Sequence, residues 1–190
     1  MRLVKKCYIA SPYSHTDPSV MRSRLEEAER IGAYFQEKYG YAFIHPIVTS
    51  ARLAAVNNNL QGSFKFWENI DLTFISACDE VWVLCLDGWN ASIGVTAEIA
   101  YAESPISMPT YGFCNEYNGI SYTPSTIKVK YYDPHTERFI SRETALKRAN
   151  KRKQDAEITI NKQETKNPAT VTIHRICTNR DLGYDEYDDC

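Results

Sequence analysis

Apolar residues first gather in residues 3–10, a compact run interrupted by Lys5 and Lys6 and ended by Ser11, Pro12, Tyr13 and Ser14. A short run closed by such a turn predicts a strand. Asp17, Pro18 and Ser19 then supply helix-start chemistry. Met21, Leu25, Ala28, Gly32 and Phe35 follow at helical spacing, with Arg22, Arg24, Glu26, Glu27 and Glu29 on the other faces. Gly40 closes that helix, and residues 41–44 form a second strand stopped by His45 and Pro46. The pattern weakens over 49–62, where 52–56 suit a helical turn and Asn57, Asn58, Asn59 and Gly62 mark a loop. Phe66, Ile70, Phe74 and Ala77 recur at helical spacing with Trp67 alongside, which predicts a helix burying Ile70 and Phe74, with Asp71 beside that face. Residues 81–86 are apolar without alternation, as in a strand covered on both faces. Asp87 to Asn90 then lead into a helix over 92–103.

Strands alternating with helices in this order predict right-handed βαβ units and an open, doubly wound α/β sheet. Ligands of such sheets sit beyond the carboxyl ends of the strands. Two loops take that position here, Ser11 to Ser14 and Asp87 to Gly94. The texture changes after Glu103. Loops rich in Tyr, Asn and Gly run to Gly119, with a further strand near 110–113. Beyond them the expected elements are a β-hairpin (128–132 and 138–140), a basic helix from Arg142 to about Asp155 capped by Ser141, a strand over 170–176, and an acidic tail. The expected division is an α/β domain over 1–119 and a C-terminal α+β extension over 120–190.

Composition narrows the function. Of 190 residues, 22 are Lys or Arg and 24 are Asp or Glu, a net charge of -2 that argues against a binder of polymeric nucleic acid. None of the 6 cysteines forms a C-x-x-C pair, which excludes a zinc ribbon or dithiol motif, and Cys7 and Cys85 lie in apolar runs as core thiols would. The first residues have charge but too short an apolar run for a signal peptide, and no stretch is long enough to span a membrane. The expectation is a cytoplasmic protein without a membrane partner, a metal or a cofactor.

Candidate chemistry centres on Ser92, Gly94 and Glu98. The first N–H groups of a helix lack internal partners and face the positive end of the dipole, so they favour an anion. A serine adds a hydroxyl donor there, and a glycine allows close approach. Glu98, one turn on, gains ~0.3–1 kcal/mol from the dipole if exposed and should therefore stay ionised. By spacing alone, a capped helix bearing a solvated acid is the favoured reading. Periodicity alone likewise favours a plain surface acid for Asp71 over one pointing into a cleft. Tyr8 and Tyr13 flank the end of the first strand, where a tyrosine can stack on a base, hydrogen-bond a carboxylate, or simply fill the core. His15 and His45 do not make a metal site, and the basic run from Lys147 to Lys153 reads as a solvated helix face.

Taken together, Tyr8 to Ser14, Phe66-Trp67 with Asp71, Cys78-Asp79-Glu80, and Leu86-Asp87-Gly88-Trp89 followed by Ser92, Gly94 and Glu98 resemble the nucleoside 2-deoxyribosyltransferase superfamily over residues 3–103. The resemblance implies a flavodoxin-like (Rossmann-like) doubly wound sheet. It also implies that Glu98 attacks the anomeric carbon of a 2-deoxyribosyl group to form a glycosyl ester, which another base or water resolves. Asp71 then assists the leaving base, and Tyr8 or Tyr13 positions the nucleophile, the loop position favouring Tyr13. Relatives acting on free nucleosides carry an acid where this chain has Ser92, whereas nucleoside monophosphate N-glycosidases carry serine. An acid would repel a phosphate that a serine and helix N–H groups would bind. The implied substrate is thus a 2′-deoxynucleoside 5′-monophosphate, held by Tyr8, Ser11, Ser14, Asp87, Ser92 and Gly94, with Arg22 or Arg24 adding charge if turned inward. The implied assembly is a homo-oligomer. The asparagine with which the transferases complete the site from a neighbouring subunit has no counterpart located here, so hydrolysis stands beside transfer. The other readings are a nucleotide-binding sensor module without catalysis and an NAD-type N-glycosidic hydrolase.

Overall fold

The apolar runs become strands β1 (Lys6–Ala10), β2 (Ala42–Ile44) and β3 (Glu80–Leu84). Lys128–Asp133 is β4, and Arg138–Ile140 is β5. All five form one sheet in the order β2-β1-β3-β4-β5, with β4 parallel to β3 and only β5 antiparallel, at the edge. The structure, a computed structural model, describes residues 4–60, 64–104 and 127–166. Helices α1 (Pro18–Tyr39), α2 (Pro46–Val56), α3 (Phe64–Ser76) and α4 (Ile93–Glu103) fall between the strands, and α5 (Arg142–Lys166) follows β5. The class is α/β with a mostly parallel sheet, consistent with the doubly wound arrangement expected. No helix among the described residues is long and apolar enough to cross a membrane.

Strand side chains alternate between the two faces of a sheet, and here both faces are buried. Cys7, Ile9, Trp82, Leu84 and Tyr132 share one cluster with Ala28, Ile31 and Phe35 of α1. Tyr8, Ala10, Val81, Val83 and Tyr131 share the other with Ile75 of α3 and Val95, Ile99 and Ala102 of α4. The absence of alternation in the apolar runs is the sequence-level sign of this double cover. Phe35 anchors the first cluster, meeting Trp82 and Tyr132 edge-on at centroid distances of 5.0 and 4.7 Å. The ends of α1 follow local chemistry. Asp17 accepts from the Ser19 N–H at 2.8 Å, Pro18 occupies the first turn, and Gly40 leaves in the left-handed region at φ 59°.

Several expectations change. The stretch read as a helical turn is a full helix, α2. Helix α3 is rotated from its predicted setting: Phe66, Ile70 and Phe74 are exposed, while Asp71 and Ile75 are buried. Two apolar stripes lie side by side on that helix, and periodicity alone does not choose between them. The hairpin exists but is not an appendage, because β4 hydrogen-bonds along β3. The boundary expected at 119/120, the strands expected at 110–113 and 170–176, and the acidic tail lie outside the described residues. The chain divides into two compact units, Met1–Ala149 and Asn150–Cys190. The sheet belongs to the first, and the described part of the second is the remainder of α5. Cys7, Cys78 and Cys85 are buried.

Glu80, at the opening end of β3, is buried, yet three donors reach its carboxylate. They are Lys5 Nζ at 3.0 Å, Lys130 Nζ at 2.6 Å and Trp82 Nε1 at 2.7 Å. Burial pushes the carboxyl up, but these hydrogen bonds and the Lys130 charge outweigh it and hold the pKa down at about 2. A folded value below the ordinary 4.5 means that the stabilisation is complete above pH 4.5 and is lost as the pH falls through about 2. Glu80→Gln is expected to lower stability at neutral pH by on the order of 3 kcal/mol. In urea titrations the gap to wild type should close as the pH drops from 4.5 toward 2. A gap that stays constant would mean that the carboxylate charge is not what stabilises the fold.

Candidate functional site

Beyond the carboxyl ends of β1 and β3 lies a cavity of about 500 Å³. Its size falls in the range of small-molecule sites. The loop after β1 lines it with Ser11, Tyr13 and Ser14, and the start of α4 lines it with Ser92, Gly94, Val95 and Glu98. Helix α3 adds Phe64, Trp67 and Asp71. Helix α2 supplies a further wall with Ile47, Ser50, Ala51, Ala54 and Ala55, and Met21 and Leu60 complete the lining. These α2 positions recur every three or four residues, so they share one face. Four of the five are Ser or Ala, and their small size leaves the space open.

Glu98 is buried in the second turn of α4. Tyr8 sits in the middle of β1, on the sheet face that α4 covers, and its hydroxyl donates to Glu98 Oε1 at 2.5 Å. The other carboxylate oxygen, Oε2, is buried with no hydrogen-bond partner among the described residues. Burial pushes Glu98 up from 4.5 to about 8, the hydrogen bond from Tyr8 opposes this, and the charge of Asp71 adds to it. Burial also raises Asp71, from 3.8 to about 6, and holds Tyr8 well above the ordinary phenol value. The expectation of an ionised Glu98 is therefore corrected for the unliganded protein. A dipole contribution of ~0.3–1 kcal/mol is small beside a desolvation penalty of several kcal/mol. Near pH 7 the Glu98–Asp71 pair carries about one proton between them.

The remaining expected residues divide into those that face the cavity and those that do not. Ser92 caps α4, accepting from the Val95 N–H at 3.4 Å, so its own hydroxyl hydrogen remains for a ligand. Gly94 is small for the sake of α3, because a Cβ there would stand 3.1 Å from the Phe64 ring. Ser11 lies 3.3 Å from His45 Nε2. Burial lowers His45 to about 4, so the ring is neutral at pH 7, and its Nδ1 has no hydrogen-bond partner among the described residues. Tyr13 and Ser14 line the cavity, but it is Tyr8 that touches Glu98, although the loop position had favoured Tyr13. Tyr8 itself is not on the cavity wall; it reaches Glu98 from the sheet side. Asp87 is exposed and off the wall, and its main-chain carbonyl accepts from Arg24 at 2.7 Å. Arg22 is exposed, and Arg24 turns to the loops rather than into the cavity.

The sequence pattern did not mark Phe64 or the α2 wall as parts of this site, and it marked Trp67 only as a helix neighbour and within the family resemblance. The Ala and Ser spacing after Pro46 was the available signal for α2. Nothing local marked Phe64 or Trp67 as facing a ligand. Among the described residues, no three His, Cys, Asp or Glu side chains group as metal ligands would.

Residues 5–108 match the family described as a domain of unknown function (DUF1937). No curated protein matches the chain.

Because the native fold favours the protonated form of Glu98, the stability this group allows is complete below pH 4.5 and is lost as the pH rises through about 8. Glu98→Gln keeps the shape and removes the ionisation. Wild type and variant are expected to melt at similar temperatures near pH 4.5. The variant should then gain on wild type as the pH rises, reaching roughly 5 °C or more at alkaline pH. Melting curves that stay parallel across this range would mean that the carboxylate is solvated.

Proposed function

We propose, from the premise that the chain belongs to the DUF1937 family, that the cavity is the active site of an enzyme that cleaves or transfers the N-glycosidic bond of a 2′-deoxynucleoside 5′-monophosphate. The observation that carries this reading is Glu98, with one carboxylate oxygen held by Tyr8 and the other buried, unpartnered, beside Asp71 in a site of nucleotide size. A carboxylate kept from water gains little in the resting protein but strongly stabilises an adjacent cationic sugar. The resemblance to nucleoside 2-deoxyribosyltransferases supports the same reading, as does the parallel strand order β2-β1-β3-β4, which flavodoxin-like sheets share, although β5 departs from them by running antiparallel.

In this mechanism the proton shared by the pair moves to Asp71. Glu98 Oε2 then bonds to C1′ as the bond from C1′ to the base nitrogen breaks, through an oxocarbenium-like transition state. Asp71 gives its proton to the leaving base. Water, or a second base, then attacks C1′, frees Glu98 and returns a proton to the pair. Trp67, Phe64 and the α2 alanines supply aromatic and apolar lining for the base. Ser92, Gly94, the N–H groups opening α4, and Ser14 stand where a 5′-phosphate would bind. A homo-oligomer in the cytoplasm is part of the reading, and the exposed apolar stripe of Phe66, Ile70 and Phe74 supports the assembly.

A second assignment exchanges the roles, because burial and the Asp71 charge raise Glu98 further than burial raises Asp71. Glu98 would then protonate the base while Asp71 activates a water. Intact-protein mass spectrometry during turnover separates the two: a deoxyribosyl phosphate adduct on Glu98 supports the nucleophile, and its absence under rapid quench supports the acid.

Each deoxynucleoside 5′-monophosphate and nucleoside, incubated with the protein, tests the function through release of free base. Glu98→Ala is expected to abolish release, and survival of activity would overturn the assignment. The pH profile should be a bell with limbs near 6 and 8, the values of the pair. Tyr8→Phe is expected to lower kcat by roughly 10- to 100-fold, the range of a positioned group at a reacting centre. Ser92→Asp should weaken monophosphates more than nucleosides, and equal losses would count against phosphate at the α4 terminus.

A further inference from the structure

Arg24 lies on α1, half-buried and outside the cavity wall. Its guanidinium spans two separate loops. Nη1 donates to the carbonyls of Tyr13 and Ser14 at 3.3 and 2.8 Å, and Nη2 donates to the carbonyl of Asp87 at 2.7 Å. The first loop leaves β1 and the second leaves β3. These strands pair in parallel, so the two loops emerge side by side at the same end of the sheet. The first carries Tyr13 and Ser14 to the cavity. The second passes through the turn Trp89–Ala91 to Ser92 and α4, and hence to Glu98. One side chain thus ties both halves of the cavity rim together.

The chemistry of the clamp is particular to arginine. A planar fork reaches three carbonyls in fixed directions, which an ammonium on a flexible stem does not reproduce. Burial lowers the Arg24 pKa, but a guanidinium is not deprotonated in proteins, so the donors stay charged. Gly88 is fitted to the same contact. Its φ is +83°, and a Cβ there would stand 2.8 Å from Arg24 Nη2. The glycine is therefore required by the backbone turn, and a Cβ in its place would displace the guanidinium.

We propose that Arg24 is a positioning residue for the site: by bridging the β1 and β3 loops it holds Tyr13 and Ser14 opposite Ser92 in a preformed cavity, and it does so without touching the ligand. Without the bridge the loops sample other arrangements, and apparent affinity falls with the fraction that remains competent. The ligand part of this proposal rests on the nucleotide reading above, and the loop part does not.

The experiment uses the full chain with Arg24→Lys, Arg24→Met, Gly88→Ala and the Arg24→Met/Gly88→Ala double variant. Two readouts are taken: amide exchange without ligand at Trp89, Ala91 and Ser92, whose N–H groups are bonded within the second loop, and steady-state kinetics with the four deoxynucleoside 5′-monophosphates. Both Arg24 variants are expected to speed exchange and to raise KM by about tenfold, the worth of one charge-assisted hydrogen bond, while the pH dependence of kcat stays that of wild type. The double variant should lose less than the sum of the single losses, because Gly88→Ala disturbs a contact that Arg24→Met has already removed. Unchanged exchange in both Arg24 variants would overturn the clamp. A normal KM in Arg24→Lys with a raised one in Arg24→Met would replace it with a role for charge alone, and full additivity would break the link to Gly88. If the wild type releases no base from any of the four nucleotides, the nucleotide reading fails alone, and the exchange rates still decide the clamp.

Discussion

Tyr8 donates its hydroxyl hydrogen to Glu98 from the middle of a strand, and it can do so only because β1 is covered on both faces. A period of two sends Cys7 and Ile9 to α1 and sends Tyr8 and Ala10 to α3 and α4. A register shift of one residue would exchange those sets and withdraw the phenol from Glu98. The parallel register of β1 against β3, Tyr8 beside Val81 and Ala10 beside Val83, thus sets the depth of the site. The loops that leave these strands complete its rim.

The fold buries two glutamates in opposite ways. Glu80, at the opening end of β3, receives three donors, two of them ammonium groups, and its carboxyl falls to about 2. Glu98 receives one neutral donor, keeps an unpartnered oxygen and rises to about 8. Both carboxyls have left water, and only the first is compensated. A native protein that leaves such a group uncompensated beside a second raised carboxyl and an open cavity concentrates reactivity there. Asp133, buried with the main-chain N–H of His135, Thr136 and Arg148 as partners, follows the Glu80 pattern and is held below the ordinary range.

Much of this was legible along the chain. The caps of α1 and α4 are short-range chemistry, and Asp17, Gly40 and Ser92 announced them. The runs without alternation announced a sheet buried on both sides. Ser92, Gly94, Asp71 and Glu98 were singled out together and do line one cavity. What was not legible depended on rotation and distance. The stripes Phe66-Ile70-Phe74 and Trp67-Asp71-Ile75 are neighbours on α3, and only packing against α4 and the sheet selects the second. Arg24 was marked as a charge for a phosphate, but its donors go to carbonyls of residues distant in sequence.

The sequence by itself determined the element types, the parallel character of the sheet and the residue classes gathered at its carboxyl end, because those follow from periodicity and from contacts within a few residues. The tertiary structure decided that Tyr8 rather than Tyr13 meets Glu98, that burial raises the Glu98 carboxyl above its ordinary range, and that β4 and β5 extend the sheet. Each of these depends on which groups are brought together and how much water is removed between them. Neither quantity is a property of any short segment of the chain.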